Sequence, residues 1–293
     1  RSYAAPASSP PQSPPPSQPS PSQPARPRGL GSIAVLAAVA LIAGLLGVPA
    51  TDRDQFRVWS SQLVQVDVNH GQTTDALTAA AAIYAYFTDF LADRRKNPRE
   101  DLMSALANAT VDGVGLTDEE VLGFCALLLV AGYETTTNLL GNSAVVLAQH
   151  RQARRRLAAD RTLLGPAVEE LLRYDSPAQG LSRTLTRDVI LHDTTMRHGE
   201  KVLLLFGSAN RDERAFPDPD VFDIERTSEH QVAFGRGIHF CLGAALARME
   251  ARIALNALLD KVPDWDVDLE SARRLRSGPI RGYTSLPITW ATG

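Results

Sequence analysis

The chain has 293 residues, 44% of them apolar and 22% charged, with 30 Lys and Arg against 33 Asp and Glu for a net charge of −3. That slightly acidic balance removes the electrostatic footprint of a nucleic-acid-binding protein. Two cysteines make no disulfide framework in a chain of this length, and without a C-x-x-C pair or an H-E-x-x-H run a zinc site has no support.

Residues 1–29 are a different material from the rest, carrying ten of the 19 prolines in runs such as Ser13-Pro14-Pro15-Pro16-Ser17. Proline removes backbone donors and fixes φ, so this stretch reads as a disordered, polyproline-like tail. From Leu30 to Val48 the chain is uncharged, after Arg26 and Arg28. Two readings stand: a membrane anchor or uncleaved signal, or a buried helix stopped at Gly47-Val48-Pro49.

Thr51–Val66 and Thr73–Arg95 follow as amphipathic helices, the second closing on Arg94-Arg95-Lys96 before Asn97-Pro98. Thr117-Asp118-Glu119-Glu120 is a capping box that opens a long helix to about His150, apolar from Phe124 to Ala131. Arg151, Arg154, Arg155 and Arg156 read as a solvated face. A helix over Leu164–Tyr174 comes next, then strands at Leu181–Thr186, Val189–His192 and Lys201–Phe206, and a last helix from near Cys241 to about Asp260. There are no repeats and no strand–helix alternation, so the fold class is mostly α, in an α+β arrangement. Cys125 falls on the apolar part of the long helix as a core residue, Trp59 reads as packing, and His70, His150, His192 and His198 have no assigned partner.

The strongest chemical signal is Phe234-Gly235-Arg236-Gly237-Ile238-His239-Phe240-Cys241-Leu242-Gly243. Two glycines one residue apart permit a tight bulged loop. Cys241 then meets the start of a helix, whose partial positive charge favours thiolate, a suitable axial ligand for haem iron. The alternatives are a small buried hydrophobe and a phosphate cradle, the latter failing because Phe240 stands where a third glycine belongs. In Ala131-Gly132-Tyr133-Glu134-Thr135-Thr136, the glycine allows close backbone approach and a local opening of the helix. Glu134 and Thr135 could relay protons; the alternative is a solvated glutamate beside back-bonded threonines. Glu170-Leu171-Leu172-Arg173 places both charges on one helix face, by itself a surface ion pair.

Together these segments resemble, in the same order, the motifs of the cytochrome P450 superfamily of soluble bacterial type. The loop is similar to F-G-x-G-x-H-x-C-L-G, with Leu246-Ala247-Arg248 completing its tail. The other two resemble A-G-x-[D/E]-T-T and E-x-x-R. The resemblance implies Cys241 as the iron ligand of haem b (iron protoporphyrin IX), with Arg183, Phe234, His239 and Gly243 also at the cofactor. It implies Glu134 and Thr135 as the proton relay, and Glu170, Arg173 and Arg226 as a buried structural triad. The implied activity is insertion of one atom of O2 into a small organic substrate, the other leaving as water. Electrons would come from a ferredoxin and its reductase, in the cytoplasm.

The resemblance runs from about residue 38 onward, and no W-x-x-x-R or H-x-x-x-R precedes the long helix. The expectation is therefore a partial P450 domain over residues 30–293. An N-terminal block would be missing, and the Pro/Ser tail, read as the product of a shifted reading frame, would stand in its place. Two other functions stay open beside the monooxygenase: an inactive remnant holding haem weakly or not at all, and a haem protein anchored through Leu30–Val48.

Overall fold

The computed structural model describes residues 41–64, 73–227 and 229–290. Residues 41–45 are helical and end at Gly47, whose φ of +80° lets Val48 N–H return to the Ala43 carbonyl at 2.7 Å. A left-handed glycine just past the last turn is a common helix stop. This is the end expected at Gly47-Val48-Pro49; residues 30–40 and the Pro/Ser tail lie outside the described residues. Among the described residues no helix is long and apolar enough to cross a membrane.

Six helices follow: α1 (Arg53–Val64), α2 (Thr73–Lys96), α3 (Leu102–Ala107), α4 (Asp118–Gln149), α5 (Arg151–Ala159) and α6 (Leu164–Tyr174). The expected capping box forms, with Glu120 N–H donating to Thr117 Oγ1 at 3.2 Å and Thr117 N–H to Glu120 Oε2 at 2.8 Å. At 32 residues, α4 is about 48 Å long and serves as the spine of two cores. Its first half, through Val121, Cys125 and Leu129, packs with Phe56 of α1 and with Ile83, Phe87 and Leu91 of α2. Its second half, through Leu139, Val146 and Leu147, packs with Leu171 of α6, with Trp265, and with Leu255 of the last helix. Cys125 is fully buried, its Sγ 3.8 Å from Met103 Sδ, and burial pushes its thiol up to about 12. Trp59 packs edge-on against Phe56 and Tyr86.

Among the described residues the strands form five short antiparallel pairs: β1 (Thr110–Val111) with β2 (Val114–Gly115), β3 (Leu181–Thr184) with β6 (Lys201–Leu204), β4 (Val189–Leu191) with β5 (Thr194–Met196), β7 (Asp266–Val267) with β10 (Ile288–Thr289), and β8 (Arg273–Arg274) with β9 (Tyr283–Ser285). The three expected strands are thus present but shorter. The last stops at Leu204 because Phe206 opens the short helix α7 (Phe206–Ala209). The final helix, α8 (Ala244–Lys261), begins three residues later than expected: Cys241 to Gly243 form a turn, in which Ala244 N–H donates to the Cys241 carbonyl at 3.2 Å.

Three readings of charged residues need correction. Arg154 belongs to no solvated face: it is fully buried, donates to the Trp265 carbonyl, pairs with Asp264 and lies 4.5 Å from the Trp265 ring centroid. Arg94, read as a helix-end cation, is buried too, donating 2.6 Å to Asp101 and packing over Phe90. His150 does have partners: Nδ1 lies 2.8 Å from the Val146 carbonyl, and the ring packs against Tyr174 and Phe222.

Candidate functional site

The loop before α8 is built around its two glycines, Gly235 at φ +71° and Gly237 at φ +67°. Those left-handed turns, closed to side chains at little cost only for glycine, fold residues 234–241 so that Cys241 N–H donates to the Phe234 carbonyl at 2.9 Å. A one-turn 3-10 helix, Gly237–His239, fills the bend, and Phe240 N–H closes it on Gly237. The result is a free, exposed Cys241 thiol next to the N-terminus of α8. Gly243 stands beside it: a Cβ there would lie 4.0 Å from Cys241 Sγ.

The surface around this thiol is apolar and open. Leu242 and Ile238 are 77% and 97% exposed and Phe240 is exposed as well; on α4, Leu127 and Ala131 are exposed and Thr135 half-buried, at four-residue intervals along one helix face. α4 packs directly on α8. A single thiol donor flanked by uncovered apolar side chains fits a mostly apolar, iron-holding macrocycle, which Cys241 would ligate. Arg183, half-buried on β3, donates from Nη1 to the Ser182 carbonyl at 3.0 Å, and His239 is exposed in the 3-10 turn. Neither is in an ion pair among the described residues, so the Arg183 guanidinium and the His239 ring nitrogens remain available to carboxylates.

On α4 the acid and the alcohol separate. Glu134 is buried, and burial pushes its carboxyl up to about 7, so the expectation of a solvated glutamate does not hold. Thr135 is half-buried and its Oγ1 donates to the Ala131 carbonyl at 2.9 Å, the back-bonded alternative. Thr136 is back-bonded as well, its hydroxyl donating to the Gly132 carbonyl at 3.5 Å, while on α8 burial holds the Glu250 carboxyl above the ordinary glutamate range. The expected opening of the helix at Gly132 is absent: α4 is continuous, and the missing side chain instead makes room for Ile42, whose Cδ1 lies 2.6 Å from where a Cβ would be. Only tertiary contact could disclose Ile42.

The E-x-x-R pair is buried rather than on the surface. Arg173 donates from Nε and Nη2 to the two oxygens of Glu170 at 2.7 and 2.8 Å, both side chains being inaccessible. Glu170 Oε1 also accepts from Asp223 N–H at 3.0 Å and from Arg226 Nε at 3.3 Å, and Arg173 Nη1 reaches the Asn210 and Pro219 carbonyls. α6 therefore holds the irregular segment that leads into the Cys241 loop. Thus the structure brings together Phe234, Cys241 and Gly243 in one loop, and Glu170, Arg173 and Arg226 in one cluster. Asn210 ties into the same segment, its Oδ1 accepting from Val232 N–H at 2.7 Å, and missed from sequence was Glu169, which no motif marks.

Comparison with known proteins agrees with this geometry. A family model described as Cytochrome P450 matches residues 69–262. A putative cytochrome P450 123 of Mycobacterium tuberculosis is 43% identical over 251 residues, covering 85% of this chain and 62% of the relative. The cytochrome P450 monooxygenase PikC of Streptomyces venezuelae is 42% identical over 266 residues, covering 89% of this chain and 63% of its own. Among solved structures, CYP109E1 of Bacillus megaterium in complex with testosterone superposes with a TM-score of 0.82 at 39% identity, over 89% of this chain and 71% of that one. The chain thus spans a little under two thirds of the length of these curated relatives. A family model matching more than half of the chain, relatives more than 40% identical over most of it and a shared fold make this chain a member of the cytochrome P450 family.

Proposed function

We propose that the chain is a haem-thiolate monooxygenase, acting on a small organic substrate with electrons from a ferredoxin-type donor. The observation that carries this reading is the free, exposed Cys241 thiol, held by the Phe234–Cys241 backbone bond among uncovered apolar side chains. Haem b bound there supplies the activation of O2, by which one oxygen atom enters the substrate and the other leaves as water. Cys241 Sγ would ligate its iron, Arg183 and His239 would meet its propionates, and Phe234 and Gly243 would border the thiolate.

The chain's own acids and alcohols would then manage protons and water. Glu134, with its carboxyl near 7, holds or releases a proton at physiological pH. Thr135 Oγ1 has its own hydrogen committed to the Ala131 carbonyl, so its lone pairs face outward as acceptors. On the loop, exposed Arg236 offers the cationic surface that an acidic electron donor would meet. A cytoplasmic location is part of the same proposal.

The test is the absorbance difference spectrum of the dithionite-reduced protein with and without carbon monoxide. The red-shifted Soret band of a haem-thiolate is expected, and Cys241→Ser should abolish it. A band at shorter wavelength only, or none, would overturn the reading.

A further inference from the structure

Successive acids on α6 face different ways. Glu170 turns to Arg173 and Arg226, whereas Glu169 turns to the two ends of the Cys241 loop. Its Oε1 accepts from Arg248 Nε at 2.5 Å, and its Oε2 accepts from Arg248 Nη2 and from Gln231 Nε2, both at 2.9 Å. The Gln231 amide oxygen in turn accepts from Ala233 N–H at 2.9 Å. Arg248, five residues into α8, lies with its guanidinium 4.6 Å from the centroid of the Phe234 ring. One carboxylate thus grips the irregular segment that enters the loop, the helix that leaves it, and through Arg248 the ring of Phe234, whose backbone carbonyl holds Cys241.

We propose that Glu169 is a positioning residue: with Arg248 it staples the loop closed and fixes where Cys241 Sγ presents itself to the iron. This rests on the haem-thiolate reading above. A loop of two left-handed glycines and one 3-10 turn has few internal bonds, so its geometry depends on its ends. A two-pronged Arg–carboxylate contact fixes orientation as well as distance. Both side chains are about one third exposed, which keeps the pair's share of global stability small and leaves geometry as its effect. A ligand displaced by a fraction of an ångström is no longer held in productive geometry.

The test uses Glu169→Ala, Glu169→Gln, Arg248→Lys and the double variant Glu169→Ala/Arg248→Lys, each as the full chain. In the reduced carbon monoxide spectrum, Glu169→Ala and Arg248→Lys should move at least half of the red-shifted band to shorter wavelength, with Glu169→Gln, which keeps one acceptor, losing less. The double variant should be no worse than either single one, because both break the same staple. Hydrogen exchange on the same preparations should show the Cys241 and Gly235 amides opening at least tenfold faster, with α4 unchanged. Wild-type spectra and wild-type exchange in Glu169→Ala would overturn the proposal, as would additive losses in the double variant. If the unmutated protein gives no red-shifted band, the haem-thiolate reading fails, and the exchange data still decide the staple. Should Glu169→Ala not fold, Glu169→Gln and Arg248→Lys carry the same two readouts.

Discussion

Replacing Glu134 by glutamine should stabilise this protein, and by an amount that depends on pH. The side chain is nine-tenths buried in α4, and burial alone raises its carboxyl from 4.5 to about 7. The folded state therefore holds the proton more tightly than the unfolded chain does. Stability from this group is fully present below about pH 4.5, declines as pH rises, and is lost once pH passes about 7. The shift of some 2.5 units, at about 1.4 kcal/mol each, sets an upper bound of about 3 kcal/mol. Water entry or a swing of the side chain toward solvent would reduce that to about 1–2 kcal/mol.

Glutamine keeps the shape and cannot ionise. Urea unfolding followed by circular dichroism at pH 4.5, 6, 7 and 8.5 measures the difference, with the m-value as a check that the denatured state is unchanged. The two proteins should be equally stable at pH 4.5 and diverge to about 1–3 kcal/mol by pH 8.5, a melting difference of about 2–10 °C for a domain this size. A difference that stays constant with pH, or a variant that is weaker at pH 8.5, would refute the assignment of the strain to an ionised Glu134. The same substitution should depress turnover, as the proposed role of Glu134 in holding and releasing a proton requires.

Three further substitutions probe the scaffold. Arg154→Met should cost about 3 kcal/mol in urea unfolding, because it strips the Trp265 carbonyl and Asp264 of their buried partner. Gly47→Ala should cost at least about 2 kcal/mol, read as a lower melting temperature, from its left-handed φ and from the crowding of a Cβ into Asp101. Glu170→Gln leaves two arginines facing a neutral amide, so about 3 kcal/mol of stability should go and haem content after purification should fall with it.

Local signals were read well from sequence because their causes are local. The capping box at Thr117, the glycine stop at Gly47 and the glycine pair at 235 and 237 each act within a few residues, and each stands where expected. What sequence misplaced was settled at a distance. Four arginines in six residues look solvated until Trp265, more than a hundred residues away, closes over Arg154. The glycine of the A-G-x-E-T-T run yields to Ile42 rather than opening its helix, a contact no spacing could announce. The pairs β1–β2, β7–β10 and β8–β9 and the helix α3 escaped notice because two to six residues hold too little pattern to outweigh their neighbours.

The adjacent acids of α6 show how a motif can hide half of its meaning. A helix turns about 100° per residue, so Glu169 and Glu170 cannot serve the same partner. Glu170 is inaccessible and closes on Arg173 and on Arg226 from the segment before the loop; Glu169 stays partly exposed and closes on Arg248 beyond it. The E-x-x-R pattern records the first and is silent on the second. Yet a rigid helix that holds both sides of the Cys241 loop couples them: a shift of α6 that loosens Arg226 must also move Arg248. The buried pair is strong and the exposed pair is weak. Disturbance of the segment before the loop should therefore reach Cys241 through α6, with the Glu169–Arg248 contact yielding before the Glu170–Arg173 contact does.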